Sequence, residues 1–101
     1  MDVYQLKDAV LAHQLRDIYG DEIVLIGEHE ESIVYRIMAE FVLGPHTYAV
    51  LQSEELKSDG EVEVFRVVRN ANQEPELETI DDDDEWEMVA EIFDEMMFIE
   101  G

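Results

Sequence analysis

Residues 81–98 run Asp81-Asp82-Asp83-Asp84-Glu85-Trp86-Glu87-Met88-Val89-Ala90-Glu91-Ile92-Phe93-Asp94-Glu95-Met96-Met97-Phe98. Asp82 with Glu85 three residues on has the spacing of a capping box. Acids in a first turn face the positive end of the helix dipole, which is worth about 0.3–1 kcal/mol. The aspartate run would repel itself in mid-helix, so it belongs at the cap. Trp86, Val89, Ala90, Phe93, Met96 and Met97 recur at steps of three and four and form one apolar stripe. Met88, Ile92 and Ile99 widen it, and Glu87, Glu91, Asp94 and Glu95 fill the remaining surface. The spacing predicts an amphipathic helix lying across a sheet. Trp86 is expected to pack on the strand at 32–43, and its loss to cost about 3–5 kcal/mol.

Upstream of this helix the pattern changes to period two. Ile23-Val24-Leu25-Ile26 is a short apolar run that suits a buried strand, and residues 27–31 read as a turn. Residues 32–43 alternate: Ile33, Tyr35, Ile37, Ala39, Phe41 and Leu43 are expected on one face, with Arg36 and Glu40 on the other. Gly44-Pro45-His46 is a tight turn. Residues 47–51 return as a strand, and 52–60 read as a polar connection. Val62, Val64 and Val68, with Phe65 and Val67 opposite, mark a fourth strand. Residues 70–75 form a turn and 76–80 a fifth strand.

Residues 2–19 look helical, with Val3, Leu6, Val10, Leu15, Ile18 and Tyr19 at helix-like intervals, Asp2 as a cap and Gly20 as a stop. This segment is expected to cover an open sheet face, or else to stand apart as an arm. Short connections between successive strands favour an antiparallel meander, because parallel strands need long crossovers. The sequence thus implies one α+β domain over residues 1–101. A helical extension at 2–19 precedes a sheet-plus-helix core at 22–98, with about five strands and the C-terminal helix packed on them.

Composition narrows the function classes. The 101 residues carry 27 acids against 6 Lys and Arg, a formal net charge of −21. Such charge opposes folding, but 47% apolar residues in patterned runs supply a core. A surface this acidic disfavours nucleic-acid phosphate and anionic lipid. There is no cysteine, so thiolate zinc sites and cysteine nucleophiles are excluded. No basic-then-apolar leader and no membrane-length apolar run occurs, which leads to the expectation of a cytoplasmic protein.

Motifs for chemistry are weak. His13, His29 and His46 lie in three segments without a metal-ligand spacing. The glycines stand singly, and Ser32, Ser53 and Ser58 lack a nucleophile-elbow context. Carboxylate pairs abound, but in so acidic a chain they say nothing without a pocket. Consecutive aspartates at residues 81–84 diverge, whereas selective calcium loops space their ligands around a turn. No cofactor, no metal and no enzymatic activity is expected.

Several segments resemble the YrzB-like family of small, very acidic bacterial proteins of unknown function. They are Gly44 with Tyr48-Ala49-Val50-Leu51, then Val64-Phe65-Arg66-Val67, then Glu76-Leu77-Glu78-Thr79-Ile80, and finally Asp84-Glu85-Trp86-Glu87-Met88-Val89. The resemblance spans about residues 22–98. It implies the same sheet-then-helix order and a cytoplasmic location, and it brings no site residues.

The functional expectation is a non-catalytic module that offers an acidic surface to a basic protein partner, in its sharper form a nucleic-acid mimic. Its surface would be Asp81, Asp82, Asp83, Asp84, Glu85, Glu87, Glu91, Asp94 and Glu95. Residues 81–101 hold ten acids and no base. On a helix rising 1.5 Å per residue that is one negative charge per ~3 Å, against one per ~1.7 Å of duplex DNA. The alternative is a homo-oligomeric or adaptor protein that uses its N-terminal or Met-rich C-terminal helix.

Overall fold

The computed structural model describes residues 6–27 and 29–100, Leu6 and residues 98–100 by their backbone alone. A 3₁₀ turn (Leu6–Asp8) leads into strand β1 (Val10–Leu11), helix α1 (Gln14–Tyr19) and strand β2 (Glu22–Ile26). Then come β3 (Ser32–Leu43), β4 (His46–Ser53), helix α2 (Glu54–Asp59), β5 (Glu63–Arg69), β6 (Pro75–Thr79) and helix α3 (Asp83–Glu100). The domain is α+β: an antiparallel sheet in which β3, β4, β5 and β6 follow one another as a meander.

β3 is long enough to carry two partners on one edge. β2 pairs with its first half, from Glu22 opposite Arg36 to Ile26 opposite Ser32. β1 pairs with its second half, Val10 opposite Val42 and Leu11 opposite Phe41. The continuous helix expected at 2–19 is therefore not formed. Among the described residues of this segment the chain instead makes a 3₁₀ turn, pairs two residues with β3 and is α-helical only over α1, which ends at Gly20 with a φ of 79° that suits glycine. The expected cap at Asp2 and the apolar position Val3 lie outside the described residues. A sixth strand, β1, joins the five expected.

The expected single apolar face of β3 is also corrected. Ile37 pairs with Leu51 and Ala39 with Val50, so Met38 is an extra residue in a β-bulge. An added residue reverses the side on which later side chains emerge. Ile37 points into one core with Leu15, Ile23, Ala49, Leu51, Phe65 and Val67. Phe41 and Leu43 point into the other with Tyr48, Val50, Val64, Val89, Ile92 and Phe93. The sheet is thus covered on both faces, by α1 and by α3.

The bulge buries Glu40, which the alternation placed on the outer face. Glu40 is 2% exposed and its Oε1 and Oε2 accept the backbone N–H groups of Leu15 (2.8 Å) and Arg16 (3.2 Å). These are free donors in the first turn of α1, so a carboxylate from β3 caps that helix. The Arg16 Nη2 donates to the Ile37 carbonyl at the bulge, at 3.0 Å.

Two connections follow local chemistry. β3 and β4 are joined by Gly44-Pro45 with Gly44 at φ 60°. Proline cannot take positive φ, so the turn has the primed form with the left-handed residue first. Within residues 52–60, expected as a polar connection, Glu54–Asp59 form α2. The Ser53 side chain accepts from the Leu56 N–H at 3.2 Å, and Gly60 closes the helix at φ 71° and ψ 27°.

Candidate interaction surface

α3 begins as its sequence dictates. Asp82 Oδ1 accepts the Asp84 N–H at 2.9 Å and lies 3.4 Å from the Glu85 N–H, while the Asp82 carbonyl accepts the Trp86 N–H at 2.9 Å. Only half of the expected capping box forms. Glu85 does not turn back to residue 82; it points down onto the sheet.

There it completes a ladder across three strands. Tyr48, Arg66 and Glu78 are register partners on β4, β5 and β6. The Arg66 guanidinium pairs with Glu78 and with Glu85, and the Tyr48 hydroxyl donates to Glu85 Oε2 at 2.6 Å. Burial alone would raise the Glu85 carboxyl, but the Tyr48 hydroxyl and the Arg66 guanidinium outweigh it and hold the group below its ordinary value. Burial, with the Glu85 carboxylate as acceptor, pushes the Tyr48 phenol well above its usual range. The hydrogen bond that Arg66 donates to Glu85, strengthened by the one to Glu78, raises Arg66.

The other residues of the expected surface face solvent. Asp81, Asp82, Asp83, Asp84, Glu87, Glu91, Asp94 and Glu95 are all exposed, on α3 and the cap before it. The inward side is Val89, Ile92 and Phe93, with Met88, Ala90 and Met96 packed around them. The expected role of Trp86 is overturned. It is 37% exposed and lies outside the buried cores. With Val89 and Phe93 setting the inward direction, Trp86, Ala90 and Met97 lie along one edge of the helix. Met97 is exposed as well.

The three histidines are exposed on separate segments. His46 has its ring 6.1 Å from that of Tyr48. Among the described residues no group of three or more His, Cys, Asp or Glu converges as metal ligands. No described helix is long and apolar enough to cross a membrane.

The profile of a family described as a protein of unknown function, DUF1292, matches residues 28–98. The chain belongs to this family. No curated protein and no solved structure matches it significantly. The DUF1292 match takes in β3 through most of α3, and so includes the Tyr48–Arg66–Glu85 ladder and the acidic helix. It leaves out β1, α1 and β2. Sequence reasoning singled out the acidic run but missed Glu40 and the ladder. The signal for the ladder was the lone arginine in Val64-Phe65-Arg66-Val67, a cation inside an otherwise apolar strand.

Proposed function

We propose that α3 is a docking element whose acidic outer face binds a basic protein partner, occupying sites shaped for phosphate. The observation that carries this reading is the division of labour among the acids of the helix. Glu85 is held inward by Tyr48 and Arg66, while Asp81–Asp84, Glu87, Glu91, Asp94 and Glu95 stay exposed. An anchored helix presents these charges at fixed spacing, which favours steering and register in a basic groove. Glu85 drops out of the contact set because its carboxylate serves the fold. The reading is non-catalytic. A closer kinship with the YrzB-like proteins, and with it a bacterial cytoplasmic setting, belongs to the same proposal.

The test exchanges Glu87, Glu91, Asp94 and Glu95 for Gln. The variant should keep its circular dichroism spectrum and lose salt-sensitive binding to a polylysine probe and to basic proteins from lysate. Binding that survives the exchange, or that ignores salt, rejects α3 as the docking element.

A second reading, an assembly or adaptor protein working through its C-terminal helix, is favoured by one observation: Trp86 and Met97 are exposed along the same edge of α3. A concentration-dependent sedimentation coefficient that Trp86→Ser abolishes would select it.

A further inference from the structure

The geometry points to the outer edge of β2 as a β-strand docking site for an extended segment of another protein in which apolar and basic residues alternate. The Gly27 N–H donates to the Glu31 carbonyl at 2.8 Å, and the Ile37 N–H to the Asp21 carbonyl at 2.9 Å. Both pairs continue the register that sets Ile23 opposite Tyr35 and Leu25 opposite Ile33. Bonded and non-bonded pairs alternate along an antiparallel ladder. The odd-numbered residues of β2 therefore direct their backbone groups at β3. Glu22, Val24 and Ile26 direct theirs outward, and no strand among the described residues pairs with β2 on that side.

Beyond Glu22, the side chains at this edge are apolar. Ile23 and Leu25 point into the core beneath α1, so Val24 and Ile26 project to the opposite face beside Val34, the register partner of Val24. Val24 is 56%, Ile26 67% and Val34 50% exposed. Edge strands that avoid pairing carry charges, proline or a bulge at such positions; β2 carries one charge, Glu22 at its first residue, and none from Ile23 to Ile26. Main-chain bonds would supply affinity, and the Val24–Ile26–Val34 strip would receive alternate side chains.

Charge selects the occupant. Asp21, Glu22, Glu30 and Glu31 flank the strip along the chain and are exposed, against one exposed cation, Arg36, the register partner of Glu22, and the chain carries −21 overall. A second copy would bring the same acids edge to edge, whereas lysines or arginines on the incoming strand would meet them. None of these residues belongs to α3, so either surface can be rejected without the other.

The experiment titrates the full-length protein with a blocked synthetic peptide alternating valine and lysine and follows backbone amides by NMR. The expected result is shifts and slowed hydrogen exchange at Val24 and Ile26. They should be retained when Glu87, Glu91, Asp94 and Glu95 are Gln, and lost when the peptide is N-methylated at alternate residues. Val24→Lys keeps the ladder to β3 but places a cation at the strip, and should weaken binding about tenfold or more. Val24→Pro removes an outward N–H alone and should do the same; if it fails to fold, the Lys variant carries the test. Absence of binding, equal binding of the N-methylated peptide, or shifts confined to α3 overturns the proposal. A concentration-dependent dimer dissolved by Val24→Lys overturns it too, by giving the edge to a second copy.

Discussion

The Tyr48 hydroxyl donates to Glu85 Oε2 at 2.6 Å, joining β4 to the first turn of α3 across 37 residues of sequence. Tyr48 is 2% exposed, and its partner is an ionised carboxylate that also holds Arg66. A hydrogen bond to a charged group contributes about 1.5–3 kcal/mol. Tyr48→Phe keeps the ring and removes the donor. Urea unfolding should show a loss of about 1.5–3 kcal/mol, with Glu85 still paired to Arg66. An unchanged midpoint would mean that this bond adds nothing to the docking of α3.

The same carboxylate sets an acid response. Glu85 lies below its ordinary value in the folded protein, the effect of burial being outweighed by Tyr48 and Arg66. Its contribution is therefore fully present above the unfolded pKa and is lost as pH falls through the lower folded value. Glu85→Gln should be less stable than the parent at neutral pH, with the gap narrowing as pH drops below about 4, the ordinary carboxylate range. Parallel stability curves for the two proteins across that window would contradict this.

Glu40 gives a prediction on the other face of the sheet. Its carboxylate accepts from Leu15 and Arg16, and Glu40→Ala orphans both donors. Unsatisfied buried donors cost about 1–3 kcal/mol each, so a total of about 2–6 kcal/mol is expected for the two. Glu40→Gln, which keeps one acceptor oxygen, should lose less. Hydrogen exchange should quicken at the Leu15 and Arg16 amides before the rest of the sheet. Uniform acceleration across the protein would show that α1 has no separate cap to lose.

Trp86 and Phe93 should exchange the importance their sizes suggest. Trp86 is partly exposed, whereas Phe93 is buried against the sheet. Phe93→Ala should cost about 3–5 kcal/mol, and Trp86→Ala about 1 kcal/mol. Thermal melts of the two variants decide the order. A larger loss at Trp86 would return it to the core.

Like charges on this scale oppose compactness. Raising ionic strength from about 0.01 M to about 0.15 M shortens the screening length from ~30 Å to ~8 Å. The melting temperature should rise over that range and then level off. A flat response would mean that the exposed acids are too far apart to repel measurably.

Local rules carried much of this fold. Asp82 caps α3 because an aspartate before an apolar-periodic run has its oxygen where free N–H groups need one. Gly44-Pro45 turns β3 into β4 because only glycine readily takes the first position of that turn. Ser53 and Gly60 bracket α2 by the same logic, though the polar residues between them read as a connection. The meander and its closing helix followed from period two giving way to period 3.6.

What the sequence could not decide depends on which distant segment claims a surface. The bulge at Met38 has no sequence mark of its own, yet it turns Phe41 and Leu43 away from Ile37 and buries Glu40. Residues 10–11 have helix-like spacing, but the free half of the β3 edge claims them, because an unpaired edge is satisfied by any segment that can extend along it. Trp86 was the largest apolar side chain on the predicted stripe. Its exposure follows from which side of α3 meets the sheet: Glu85, Val89 and Phe93 are turned inward, and Trp86 lies at the edge of that side. The acidic run on α3 was plain in the sequence from the outset. That one of its acids fastens the helix, leaving the others exposed, is a property of tertiary contacts, because only packing decides which face of a helix is inside.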